Sequence, residues 1–251
     1  MRSSRLLPDI SRASLELLLR PPVGRPVVSE DLYQPTSLHQ DIQQAFCPEQ
    51  PLTDELIVNI ILKYFYCYVY PGSSAQKIAL SQVSLLFDAF VHRRQGSEVL
   101  KGREALRRDL LKYGFALAML ADVPKTAHIF REIAGRKILP QQFNHRFQGI
   151  DIGAGTGILM LAQAVAARRN SFQDLIITGI ERETNTSLRT AAISSELGTG
   201  LLVSQNAVKP ETYSFIDHKP VTVITNETLP GTSARLWKED FILISQTLFR
   251  H

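Results

Sequence analysis

Cysteine is nearly missing from this chain. Cys47 and Cys67 are the two among 251 residues, too few and too far apart for a disulfide framework or a zinc site, so free thiols in a reducing compartment are expected. Charge is not concentrated either. No block of five like charges occurs, and a net charge of +4 permits an acidic or nucleic-acid partner without demanding one. No stretch approaches the ~18 uncharged apolar residues of a membrane span, so no membrane role is expected and a cytoplasmic location is the default. His39, His92, His128, His145, His218 and His251 share no metal-ligand spacing, and no metal site is expected. Internal repeats and low-complexity segments are lacking too. Near the N-terminus Arg2, Arg5, Arg12 and Arg20 have a faint targeting composition, but Asp9 and Glu16 interrupt it and no apolar core accompanies them.

What the chain does have is enough apolar material, 44%, for a packed core, and a change of rhythm near Phe147. Three regions are expected: residues 1–36 as an N-terminal arm with a proline-rich connector, 37–140 as an all-α helical domain, and 141–251 as an α/β domain. The arm holds an expected helix over 10–20, and Pro21, Pro22 and Pro26 then forbid regular structure. In the second region the patterns predict helices over 56–70, 77–94, 97–121 and 125–133. The first is apolar nearly all round, with Thr53, Asp54 and Glu55 as its start and Pro71-Gly72 as its stop. Its aromatics (Tyr64, Phe65, Tyr66, Tyr68, Tyr70) read as core filling ahead of base stacking. Arg93, Arg94, Lys101, Arg103, Arg107 and Arg108 are the best candidates for an anion-facing surface, with a solvated helix face as the plainer account.

In the third region strands at 148–152, 175–181, 201–205 and 221–226 alternate with helices at 156–169, 184–197 and 236–249. Such alternation implies crossover connections and a doubly wound parallel sheet. Its centre is Gly149-Ile150-Asp151-Ile152-Gly153-Ala154-Gly155-Thr156-Gly157: a buried strand, a glycine turn and the start of a helix. Glycine at every second position lets the backbone turn sharply and bring its N–H groups near a ligand, with the positive helix end aimed at the same space.

Spacing separates the possible nucleotides. A dinucleotide fingerprint would place its third glycine where this chain has Ile158, and the Gly-Lys-Ser/Thr phosphate loop is absent. Asp151, two residues before Gly153, suits a ligand carrying a cationic ammonium group better than a pyrophosphate, which it would repel. Strand two ends in Glu181, where a Rossmann-like sheet binds ribose hydroxyls. Asn206-Ala207 follows strand three, placed to meet an adenine edge and ring, and Asn226-Glu227 closes strand four.

This constellation, over residues from about 120 to 249, resembles the class I S-adenosylmethionine-dependent methyltransferases. The resemblance implies a Rossmann-like cofactor-binding domain. Asp151 and the loop of Gly153, Ala154, Gly155 and Gly157 would hold the methionyl part of S-adenosyl-L-methionine. Glu181 would hold its ribose, Asn206 and Ala207 its adenine, with Asn226 completing the pocket. Glu227 is the expected catalytic residue, orienting or deprotonating an N or O nucleophile. Within the superfamily there is a partial likeness to the protein arginine methyltransferases. Residues 119–126 stand where their cofactor-covering helix does, and Glu227 stands at their first loop glutamate. Their second loop glutamate has no counterpart, since Glu239 and Asp240 fall in an expected helix.

The complete class I sheet has seven strands in the order 3-2-1-4-5-7-6, so the four expected here form an apparently truncated sheet. Strand four would be an apolar edge. Either the chain is a fragment, or the helical domain or a second copy covers that edge, which makes a homo-oligomer a candidate. Plainer readings stand beside each residue: a tight turn without ligand for the glycines, a helix cap for Asp151, and a solvated end for Glu181. For Asn206 and Glu227 the alternative is an ordinary turn residue. The leading expectation is a methyltransferase acting on an unknown small-molecule or protein acceptor. A cofactor-binding but catalytically incomplete interaction module, and a nucleic-acid-modifying methyltransferase using the basic helices, are the alternatives.

Overall fold

A computed structural model describes residues 35–69, 114–207, 209–216 and 220–227. The chain divides into two compact units, Met1–Glu132 and Ile133–His251. The expected helices over 10–20, 77–94 and 236–249, the first part of that over 97–121, the proline connector and the six basic residues from Arg93 to Arg108 lie outside the described residues.

In the first unit the described residues form α1 (Pro35–Phe46), α2 (Asp54–Val69), α3 (Gly114–Ala121) and α4, which starts at Val123 and runs to Ala134. Thr53 Oγ1 accepts the Leu56 N–H at 3.2 Å, and Asp54 and Glu55 face the positive end of α2. Leu56, Ile57, Val58, Ile60, Ile61, Leu62, Tyr64, Phe65 and Tyr68 are all buried, so the apolar circumference is packed into protein. Tyr64 and Tyr68 stack with centroids 6.5 Å apart, as core aromatics should. Leu38, Ile42 and Ala45 bury one face of α1, and Asp41 pairs with Lys63 of α2. Arg131 of α4 pairs with Asp54.

Helix α1 begins at Pro35, where a missing N–H costs nothing in a first helical turn. The linker that follows α4 belongs to the sheet unit. Asn170 accepts the Ile138 N–H at 2.9 Å and donates to the Arg136 carbonyl at 2.8 Å.

In the second unit the described residues form a four-stranded, all-parallel sheet with flanking helices, an α/β fold of Rossmann-like kind. Its strands are β1 (Arg146–Ile152), β2 (Asp174–Glu181), β3 (Leu201–Ser204) and β4 (Val223–Asn226), in the order β3-β2-β1-β4. Helix α5 (Ile158–Arg169) connects β1 to β2, and α6 (Thr184–Leu197) connects β2 to β3. The four expected strands are all present, with shifted ends. β4 starts at Val223 and not at residue 221 because Thr222 closes a local ring with Gln148: its N–H donates to the Gln148 carbonyl at 2.7 Å, and its hydroxyl accepts the Gln148 N–H at 3.1 Å. β3 stops one residue early, where the Gln205 N–H turns back to the Val203 carbonyl. α5 begins two residues late, because Gly157 still has φ +79°.

Side-chain alternation gives the sheet two different faces. Ile150, Ile152 and Ile180 form a core with Tyr213, against which Ala207, Phe215, Ile216 and Val221 pack. On the other face, β1 and β2 offer Gly149 and Gly179, and α5 lies close above them. A Cβ on Gly149 would collide with Gln163 Oε1, and one on Gly179 would stand 2.6 Å from Met160 Sδ. Ile158 through Ala167 of α5 are consequently all buried. The expected strand-four edge has Val223 buried and Ile224 46% exposed. No helix among the described residues is long and apolar enough to cross a membrane.

Candidate functional site

The chain leaves β1, builds the sheet outward to β3, and returns to β4 on the other side of β1. Connections diverge between β1 and β4, and ligands of open parallel sheets bind in the crevice beyond the strand ends there. All ten expected site residues lie at or just past a C-terminal strand end.

The glycine turn has the backbone that its composition demands. Gly153, Gly155 and Gly157 have φ of +70°, +51° and +79°, a region costly for a residue with a Cβ. Its N–H groups differ from expectation. Those of Gly153 and Ala154 both donate to the Ile180 carbonyl, at 2.9 and 3.0 Å, and that of Gly157 donates to the Ala154 carbonyl at 2.7 Å. The Gly155 N–H reaches Glu181 Oε2 at 3.0 Å. All four are satisfied inside the protein, because the turn must dock against the end of β2. A phosphate would need them pointing outward.

Glu181 therefore braces two segments. Its other oxygen accepts the Glu183 N–H at 2.8 Å, so one carboxylate holds the glycine turn and the entry to α6 together. Thr190 of α6 donates to the Gly155 carbonyl at 2.6 Å from the other side. Asn206 and Ala207 form a turn: the Asn206 carbonyl accepts the Lys209 N–H and the Thr212 hydroxyl, and the Ala207 carbonyl accepts the Tyr213 hydroxyl at 2.8 Å. Burial pushes the Tyr213 hydroxyl up to about 12, so it stays a donor. At the end of β4, Asn226 pairs with Ile152, and the Glu227 N–H donates to the Ile152 carbonyl at 3.0 Å. The ladder thereby carries Glu227 to the end of β1.

Asp151 lies at the centre. It is 1% exposed, and its Oδ1 accepts the Thr225 hydroxyl at 2.6 Å. Its Oδ2 is fully buried and has no hydrogen-bond partner among the described residues. Burial pushes its carboxyl up to about 7; the Thr225 bond opposes this, while the carboxylates of Glu227 and Glu181 add to it. Three acids from β2, β1 and the end of β4 thus share one electrostatic field. Among the described residues no three His, Cys, Asp or Glu side chains come together to hold a metal ion.

Comparison of the chain with family models, curated proteins and solved structures finds no match in any of the three. The site must be read from its own chemistry. Carboxylates that raise the proton affinity of Asp151 favour a ligand bringing positive charge, and a buried acceptor without a donor favours one bringing N–H.

Two participants escaped the sequence. Thr225 was one more strand residue, and Gln163 one more position of a helix. A signal for the second existed: Gln163 is the one polar residue in the run Ile158 to Ala167, and it is fully buried. A buried amide in an apolar helix needs partners, and those partners mark polar chemistry below it.

Proposed function

We propose that this chain binds S-adenosyl-L-methionine at the ends of β1, β2 and β4 and transfers its methyl group to an N or O nucleophile. One observation carries the reading: Asp151, buried with Oδ2 unpartnered, shares its field with Glu181 and Glu227. An ammonium or sulfonium cation relieves this arrangement, whereas a pyrophosphate meets the carboxylates of Glu181 and Glu227, the reluctant acid of Asp151, and a turn whose N–H groups are already used. In this reading Asp151 attracts the methionyl ammonium. Glu181, whose oxygens retain lone pairs after two N–H contacts, accepts from the ribose hydroxyls. Asn206 and Ala207 border the adenine, with Ala207 held by Tyr213, and Asn226 lines the floor between β1 and β4.

The bound cofactor supplies a methyl carbon made electrophilic by the adjoining sulfonium. The residues of the chain contribute position and proton control. Glu227 orients the acceptor and takes the proton that its nitrogen or oxygen gives up. Most of the rate would come from holding the reacting groups in line, so no strong acid is required. The doubly wound architecture and the helical region that shapes acceptor choice belong to the same proposal.

Calorimetric titration of two variants tests the division of labour. Glu181→Ala should weaken S-adenosylmethionine binding by tenfold or more, about 1.4 kcal/mol. Glu227→Ala should bind normally and turn over slowly. Unchanged affinity in Glu181→Ala would remove the ribose assignment.

A further inference from the structure

Beneath the glycine turn lies a directed chain of hydrogen bonds that the proposed chemistry does not itself require. The Gln163 side-chain amide donates to Thr225 Oγ1 at 2.8 Å and to the Ile150 carbonyl at 3.1 Å. With its oxygen occupied as an acceptor, the Thr225 hydroxyl has one proton to give. Asp151 Oδ1 at 2.6 Å takes it over the Ile150 carbonyl at 3.4 Å. Polarity is therefore fixed along the chain, from Gln163 through Thr225 to Asp151, and each donor strengthens the next.

The sequence admits this chain at one point. Asp151 and Thr225 are directly opposed across β1 and β4, and Gly149, two residues earlier on the same face, leaves the space that Gln163 Oε1 enters. Any side chain at residue 149 would expel the amide. The chain also ends selectively: it serves Oδ1 of Asp151 and leaves Oδ2 buried without a donor.

We propose that Gln163 and Thr225 are positioning residues that clamp Asp151 by Oδ1 and keep Oδ2 in reserve for a cationic ligand, so that binding couples to loss of the Asp151 proton. This rests on the S-adenosylmethionine reading for the ligand's identity, but the clamp itself does not. Charged groups acting on Asp151 are Glu227 beyond β4 and Glu181 at the end of β2, both opposing ionisation. α5 adds none there, since residues 158–167 carry no titratable side chain. The Thr225 bond is what favours the carboxylate. A cation at Oδ2 would complete the ionisation that the clamp begins.

The test uses the 251-residue chain and its variants Thr225→Val, Thr225→Ser and Gln163→Met. Asp151 is titrated by carboxyl-carbon NMR without ligand, and S-adenosylmethionine affinity is measured from pH 5 to 9. The parent should gain affinity about tenfold per pH unit below the Asp151 midpoint and level off above it. Thr225→Val should move both the carboxyl midpoint and the levelling point upward together. Thr225→Ser, which keeps the hydroxyl, should restore the parent profile, and Gln163→Met should shift less than Thr225→Val. An unmoved carboxyl midpoint in a folded Thr225→Val would overturn the clamp, whatever binds. Binding that is independent of pH, with the midpoint shift present, would overturn the reserved role of Oδ2. Absence of S-adenosylmethionine binding at every pH, with the shift present, would overturn the cofactor reading and the ligand half of this proposal while leaving the clamp supported.

Discussion

Thr225 Oγ1 donates to Asp151 Oδ1 at 2.6 Å across the β1–β4 pair, and among the described residues this is the one hydrogen bond that the buried carboxyl receives. A carboxylate with a single donor and two acidic neighbours is costly to keep charged. The fold retains it where the strand connections diverge, between β1 and β4.

Asp151 should therefore leave a signature in the pH dependence of stability. Its carboxyl is raised from the ordinary 3.8 to about 7, so the folded state holds a proton that the unfolded chain has already lost. This group's contribution is full below pH ~4, falls as pH rises toward 7, and is flat above that. The fall should be on the order of a few kcal/mol. In Asp151→Asn the slope between pH 4 and 7 should flatten, and at pH 8 urea should unfold the variant later than the parent. A variant with the parent's slope would show that Asp151 titrates normally.

Gly149→Ala probes the close approach of α5. The new Cβ would collide with Gln163 Oε1 and stand 3.0 Å from the Phe147 ring and 3.1 Å from Ile177. Overpacking of this kind costs about 1–3 kcal/mol, and expelling the amide leaves the Ile150 carbonyl and Thr225 without their donor. Urea denaturation should show that loss, with the Asp151 midpoint displaced as well. Parent-like stability would mean that α5 sits farther from β1.

Tyr213→Phe removes the bond to the Ala207 carbonyl and nothing else of size. Loss of about 1 kcal/mol is expected in denaturant unfolding. Adenosine-containing ligands should bind more weakly, while methionine alone binds as before. Equal weakening of both would show that the Asn206-Ala207 turn does not border the adenine.

The sheet was legible because its signals are local. Glycine alternation at Gly153, Gly155 and Gly157 dictated positive φ, and the apolar strands with helices between them dictated parallel crossovers. Strand ends were less so, since Thr222 closes its ring with Gln148, 74 residues away in the chain. Asp151, Glu181 and Glu227 were readable as acids at strand ends. The destination of the loop N–H groups was not, because it depends on how the turn docks on Ile180 and Glu181. Gln163 and Thr225 were hidden for the same reason: each acquires its role from partners on other elements.

S-adenosylmethionine binding is measured by titrating the parent protein in a calorimeter at pH 8, where Asp151 is mainly charged. Saturable binding of one ligand per chain is expected, lost or much weakened in Glu181→Ala. No binding up to ~1 mM, a free energy weaker than about −4 kcal/mol, would contradict it.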